Sequence, residues 1–206
     1  MRPALTVQRI GDDVLELAVA SPQEARALAT TLADHPLAQE IVPALDRVAV
    51  RIDLKDADAA AAWLEHLVLP EAKAESEPAP HIIELVYGGE AGPDFDAVCD
   101  ALSMSASDFI DLHTSSTHRV EMIGFTPGFA YVSGLPEEIQ VPRLSQPRAR
   151  VPAGSVGLSA AFTGIYALAG PGGWPLIGKT YAPLFEADRD PAFLLSPGQP
   201  VQFRAV

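Results

Sequence analysis

Ten of the chain's 15 glycines and seven of its 19 prolines fall between Gly124 and Thr180. Glycine is used where the backbone takes a positive φ or where another group must approach closely, and proline fixes φ while removing a donor. Such density excludes long regular elements over these residues and predicts shaped loops joined by short strands. The same stretch holds Arg143, Arg148, Arg150 and Lys179 against only Glu137 and Glu138, in a chain whose net charge is -13. A basic, glycine-rich island in an acidic protein points to a site for a small anion.

The acidic balance argues against nucleic acid and against an anionic membrane surface, because both need Lys and Arg in excess. With 206 residues, 48% hydrophobic and 20% charged, the chain can form one large domain or two small ones with a real core. Cys99 is the only cysteine, so neither an intramolecular disulfide nor a cysteine-based zinc site is available. The opening residues lack the apolar core of a signal peptide and no run reaches the length of a membrane span, so a cytoplasmic protein is expected.

Along the chain, Thr6 to Ile10 and Val14 to Val19 flank Gly11-Asp12-Asp13 in a hairpin pattern. Ser21-Pro22-Gln23-Glu24 supplies a capping serine, a first-turn proline and a glutamate three residues on, which marks a helix start. Ala25, Leu28, Ala29 and Leu32 continue at helical spacing. Ile41 to Ala44 and Arg47 to Ile52 read as a second strand pair, and Asp56 opens an alanine-rich helix with Ala60, Trp63, Leu64 and Leu67 on one stripe. This ββαββα order suits a two-layer α+β unit. A charged, proline-flanked segment over 69–79 reads as a linker, which predicts a first domain over 1–79 and a second over 80–206. In the second, His81 to Tyr87 and Thr117 to Ile123 are strands, Pro93 to Leu102 and Ser105 to Leu112 are short helices, and Val201 to Val206 is a terminal strand. Short strands punctuated by Gly and Pro favour a barrel or a sandwich.

Several residue groups carry chemistry. Gly173 to Thr180 formally matches the GxxxxGK[ST] phosphate loop, but Trp174-Pro175 is bulky and amide-poor, and Pro183 falls where the required helix would need a donor. A strand-turn-strand is expected there instead. Arg143, Arg148 and Arg150 lie in an extended, proline-held segment, and alternation would point Arg148 and Arg150 to one face. Guanidinium groups suit carboxylates and phosphates because they donate in a fork, although these could equally neutralise buried carboxylates. His113 and His118 bracket a Ser/Thr-rich turn. His113 is the candidate general base, its alternative being a partly buried hydrogen-bonding residue. Ser155 would act on substrate only with a base nearby, its alternative being a turn hydroxyl. Tyr131 and Lys179 join the candidate anion-binding set with Arg143, Arg148, Arg150 and Ser155, while Phe125, Phe129 and Trp174 are either core or the wall of the pocket. No metal-ligand set is read.

Gly124-Phe-Thr-Pro-Gly-Phe-Ala-Tyr131, the pairs Pro142-Arg143 and Pro147-Arg148, Val151-Pro-Ala-Gly-Ser-Val156, Gly164-Ile-Tyr166 and Pro171-Gly-Gly-Trp174 followed by Ile177-Gly178 form five ordered blocks. Together they resemble the B-subunit family of 5-oxoprolinase, also called allophanate hydrolase subunit 1 or KipI-like. The chain departs from the family at Gly178-Lys179-Thr180-Tyr181, where Gly-Arg-Thr-Pro is common, and at His118, where tyrosine is more frequent. The resemblance implies an α+β N-terminal domain followed by a mainly-β, cyclophilin-like barrel. It further implies a homologous C subunit (the allophanate hydrolase subunit 2 type) and an A subunit as partners, and ATP with Mg2+ consumed in opening 5-oxo-L-proline to L-glutamate. The alternative within the same likeness is a regulatory protein that binds and inhibits a sensor histidine kinase.

Overall fold

The structure is a computed structural model that describes residues 6–67 and 79–206. Its chain contacts divide it into two compact units, Met1–Ser76 and Glu77–Val206. The segment read as a linker, 69–79, lies outside the described residues except at its last position.

In the first unit, β1 (Val7–Ile10), β2 (Val14–Ala18), α1 (Pro22–Leu32), β3 (Glu40–Pro43), β4 (Arg47–Arg51) and α2 (Ala57–Glu65) follow in order. The strands form an antiparallel sheet in the order β1-β2-β4-β3. Period-two alternation sends Leu15 and Leu17 of β2 and Val48 and Val50 of β4 into one core with Ala25, Leu28 and Leu32 of α1 and Ala57, Ala60 and Leu64 of α2. α1 starts as its sequence predicts: the Ser21 hydroxyl accepts from the Glu24 N–H, and a Glu24 carboxylate oxygen accepts from the Ala20 N–H at 3.0 Å. Trp63, expected on the buried stripe of α2, is only partly covered and stacks on His35 with ring centroids 3.7 Å apart.

The second unit contains β5 (His81–Tyr87), α3 (Phe95–Leu102), α4 (Ala106–Ser115), β6 (His118–Ile123), β7 (Ala130–Ser133), β8 (Arg148–Val151), β9 (Ser155–Ser159), β10 (Phe162–Ile165), β11 (Gly170–Gly172), β12 (Leu176–Lys179) and β13 (Pro200–Ala205). Seven of these strands close into a barrel in the order β10-β7-β6-β13-β5-β12-β9. Closure satisfies the strand edges that an open sheet would expose. β13 runs parallel to β5, so the end of the chain seals the barrel beside its first strand. β8 and β11 form a separate two-stranded ribbon.

Alternation along the strands creates two apolar compartments. Ile83, Leu85, Val120, Val132, Val156, Leu158, Ile165 and Phe203 fill the barrel core, to which Phe109 of α4 also belongs. Residues between them on β7, β9 and β10 face the other way. There Phe129, Val151, Tyr166, Trp174 and Leu176 form a second cluster, with Tyr131 and Phe162 against it.

Candidate functional site

The second cluster is assembled by glycine. Gly164 of β10 is the register partner of both Tyr131 on β7 and Gly157 on β9, and Gly157 in turn faces Leu176 on β12. Two side-chain-free positions therefore sit side by side on the outward face of the sheet. A β-carbon on Gly164 would come 2.5 Å from Trp174 Cζ3 and 2.8 Å from Phe129 Cζ, and one on Gly157 would come 3.0 Å from Trp174 Cβ. The indole lies against bare backbone. Around it, Phe129 meets Tyr131, Tyr166 and Trp174 edge to face, with centroids 4.8, 4.8 and 5.7 Å away.

Phe129 reaches this position through the Gly124–Phe129 loop that follows β6. The loop closes on itself by a Gly124 N–H to Phe129 O bond of 3.0 Å, and Phe125 takes φ 69, a left-handed conformation unusual for a non-glycine residue. Phe125 is 61% exposed as a result. It lines a groove of about 580 Å³ with Thr126, Pro127, Phe193, Leu195 and Pro197, where the buried Thr126 hydroxyl has no hydrogen-bond partner.

The proline-held segment supplies the charge. Leu144 N–H donates to Gly173 O at 2.8 Å and the β8–β11 ribbon extends the contact, so the segment lies beside the Trp174 turn. Arg143 places its guanidinium carbon 5.9 Å from the Trp174 ring centroid, with Nε 3.4 Å from the Ser159 hydroxyl. Arg148 donates from Nη2 to Asp94 Oδ1 at 2.6 Å, and Asp94 Oδ2 accepts from the Leu176 N–H at 2.6 Å. Arg148 Nη1 is buried without a partner. Burial pushes the Tyr166 phenol up from its ordinary pKa, against a hydrogen bond from the Trp174 backbone and the fields of Arg143 and Arg148. Burial also raises the Tyr131 phenol, and Arg143 opposes it. Both phenols are protonated at neutral pH and can donate.

The arrangement brings together Tyr131, Arg143, Arg148, Phe129 and Trp174 from the expected set. Ser155 is buried on β9 and shares the outward parity of Gly157 and Ser159, as a strand residue and not a turn hydroxyl. Arg150 is exposed on β8. Lys179 ends β12 with its ammonium 5.3 Å from the Tyr181 ring centroid, and no helix follows it, so Gly173 to Thr180 lacks the context of a phosphate loop. His113 stands apart from this cluster. It is 0% exposed, with Nδ1 2.6 Å from the Tyr87 hydroxyl and Nε2 3.0 Å from the Thr163 hydroxyl on the barrel side of β10. Both ring nitrogens are engaged within the core, which leaves neither for a substrate.

Sequence reasoning missed Asp94 and Ser159. Asp94 pairs with an arginine 54 positions away, and nothing in its local pattern distinguishes it from the neighbouring carboxylates Asp96 and Asp100 of α3. Ser159 had a usable signal, since alternation from Gly157 places it on the same face. Phe129, Tyr166 and Trp174 are buried, and what this face presents outward is the exposed Arg143 guanidinium over the Trp174 ring with the partly exposed Tyr131 beside it, a pair of donors suited to a small carboxylate. Among the described residues, no group of three or more His, Cys, Asp and Glu is arranged to hold a metal ion. No helix among them is long and apolar enough to cross a membrane.

The chain resembles known proteins along most of its length. The family described as carboxyltransferase domain, subdomain C and D, matches residues 5–195. The chain is 40% identical to a 5-oxoprolinase B subunit of Escherichia coli O157:H7 over 197 residues, covering 92% of this chain and 90% of that protein. It is 45% identical to a 5-oxoprolinase B subunit of Bacillus subtilis (strain 168) over 121 residues, 59% of this chain and 50% of that one. Among solved structures, TTHA0988 superposes with a TM-score of 0.82 at 31% identity, covering 98% of this chain. The chain spans only 41% of the length of that protein.

Proposed function

This chain belongs to the B-subunit family of 5-oxoprolinase, within the carboxyltransferase-domain subdomain C and D family, and we propose that it works as one component of an ATP-dependent 5-oxoprolinase. In this reading, a homologous C subunit of the allophanate hydrolase subunit 2 type and an A subunit complete the enzyme in the cytoplasm. The complex opens 5-oxo-L-proline to L-glutamate and consumes ATP with Mg2+. The observation that carries the reading is the 40% identity to the Escherichia coli protein over 92% of the chain. We take the barrel to be of the cyclophilin-like kind, and the first unit to be its two-layer α+β companion.

The outward face around Arg143 and Tyr131 supports a substrate-holding role. 5-Oxoproline is a small ring with one carboxylate and one lactam. The carboxylate suits Arg143 and the partly buried Arg148, and the partly exposed, protonated Tyr131 suits the ring and its lactam oxygen. Ring opening adds water across the lactam C–N bond: the carbonyl carbon gains the oxygen and the nitrogen leaves with a proton as the amine. An amide carbonyl is a weak electrophile, so ATP hydrolysis supplies the driving force. This chain's share of the work is to bind and orient the ring. No geometry among the described residues favours the kinase-inhibitor alternative.

The test is reconstitution. The chain mixed with A and C homologues should release glutamate from 5-oxoproline only when ATP and Mg2+ are present, and omission of this chain should abolish release. Absence of ATP-dependent glutamate from the full mixture would overturn the proposal.

A further inference from the structure

The groove of about 580 Å³ beside Phe125 is walled by two loops, each held by its own bonds. In the first, the Thr126 N–H donates to Gly124 O at 2.9 Å and closes a three-residue turn centred on Phe125. The φ of 69 gives this turn its rare, strained sense, and the ring is turned out to solvent. In the second, Arg189 gathers the chain over 183–192: Nε donates to Pro191 O at 3.0 Å, and Nη1 donates to Pro183 O at 3.1 Å and to Glu186 Oε2 at 2.8 Å. Phe185 and Phe193 pair across this loop with their rings stacked at 5.2 Å. Gly128 presses one loop on the other, since a β-carbon there would come 3.0 Å from Phe185 Cβ.

None of the residues lining the groove carries a charge, and Pro127, Pro191 and Pro197 bring no backbone donor. Such a wall gives a carboxylate or a phosphate nothing to bind. It offers apolar area instead, on the exposed rings of Phe125 and Phe193. Backbone strain that turns a phenylalanine outward costs free energy in the isolated chain, and strain of this kind is kept where a ligand or partner uses it. The charge beside the groove is acidic. Asp188 and Asp190, on the loop that carries Pro191 and Phe193, are exposed and form no ion pair among the described residues, because Arg189 is committed to Glu186 and to loop carbonyls. An apolar groove with uncompensated carboxylates at its side complements an apolar side chain next to a cation. A second copy of this chain is a poor match, because its net charge of -13 would bring like charge to that rim. A different polypeptide is the better match. In TTHA0988 this fold does sit within more chain, since the matched region is only 41% of that polypeptide.

We propose that this groove docks a partner subunit, through a segment that lays a large apolar side chain on Phe125 and Phe193 and sets a lysine or arginine against Asp188 and Asp190. The proposal rests on the reading of this chain as one component of a multi-subunit enzyme. It gives the strained Phe125 turn a purpose, which is to hold an anchor surface ready before the partner arrives.

Surface plasmon resonance of the full chain against the A and C homologues, each presented separately, tests it. The variants are Phe125→Gly and the pair Asp188→Asn with Asp190→Asn, measured at about 50 and about 300 mM salt. Wild type should bind at least one homologue. Phe125→Gly removes the ring together with the left-handed strain, so it should keep the fold by circular dichroism and weaken association at least about tenfold. If Phe125→Gly does not fold, Phe125→Asn, which also tolerates positive φ, should show the same loss. The double asparagine variant should associate several-fold more weakly at low salt, and the difference should shrink at high salt. Association that survives loss of the Phe125 ring, or that is unchanged at low salt without the two carboxylates, would overturn the docking proposal and leave the complex standing. Wild-type chain that binds neither homologue would remove the complex and the proposal with it. Self-association of wild type that Phe125→Gly abolishes would give the groove to a second copy and overturn the proposal as well.

Discussion

The indole of Trp174 occupies the space beside Gly164 so closely that a β-carbon there would stand 2.5 Å from Cζ3 and 2.7 Å from Cε3. Both residues of that contact are buried, and Phe129 closes the other side. Gly164→Ala should therefore displace the indole and cost about 1–3 kcal/mol. Urea unfolding should report the loss, and calorimetry should report a matching loss of 5-oxoproline affinity. A stable variant with unaltered affinity would show that the ring does not need this seat.

A local test concerns the first helix. The Ser21 hydroxyl accepts from the Glu24 N–H at 3.2 Å, satisfying one of the donors that a helix start leaves open. Ser21→Ala should destabilise the first unit by about 1 kcal/mol and leave carboxylate binding in the second unit unchanged. Urea unfolding followed by far-UV circular dichroism measures the first effect, and titration calorimetry checks the second.

These two contacts also show what was legible in the sequence. The Ser21 cap spans three residues, so its partners are visible in one short string. Glycine and proline density likewise announced the shaped loops around the Trp174 cluster, and the short strands announced a barrel or sandwich without deciding between them. Closure depends on β13 reaching β5, more than a hundred positions earlier. The Gly164–Trp174 seat was hidden for a related reason, since it needs the register of three strands at once. Of the two roles open to His113, the buried hydrogen-bonding one was the more legible, since its spacing from Phe109, four residues on one helix face, marks it as core-facing. Asp94 was out of reach, because a charge pair across 54 positions leaves no periodic trace.

His113 makes the fold sensitive to acid. Burial first, and the neighbouring His118 second, push its pKa well below the ordinary histidine value near 6.5. Burial lowers His118 as well, against its bonds to His113 O and Ser133 O. The unfolded chain takes up protons as pH falls below about 6.5 while the folded core refuses them, so stability is complete above that pH and declines beneath it. The decline should reach at most about 1.4 kcal/mol per pH unit for each histidine. Urea unfolding at pH 7.5, 6.0 and 5.0 measures the slope, and His113→Gln should flatten it while lowering stability at pH 7.5. An identical slope in the variant would assign the acid sensitivity elsewhere.

Arg143 and Arg148 should separate binding from stability. Arg143 is exposed, and its contacts are a guanidinium 5.9 Å from the Trp174 centroid and a long hydrogen bond to Ser159. Arg143→Gln should cost less than about 1 kcal/mol of stability, since an exposed cation–π contact contributes little more. Arg148 is different, because its loss leaves the Asp94 carboxylate, 18% exposed, without its cation. Breaking a fully buried pair costs about 3–5 kcal/mol, and partial exposure of both partners reduces this, so Arg148→Gln should cost about 1–2 kcal/mol. Both variants should weaken 5-oxoproline binding by about tenfold, because each removes a charged donor to the carboxylate. Denaturation and calorimetry on the same preparations give both numbers. If Arg143→Gln binds as tightly as wild type, this exposed cation does not meet the ligand, and the anion would have to be held by Arg148 alone.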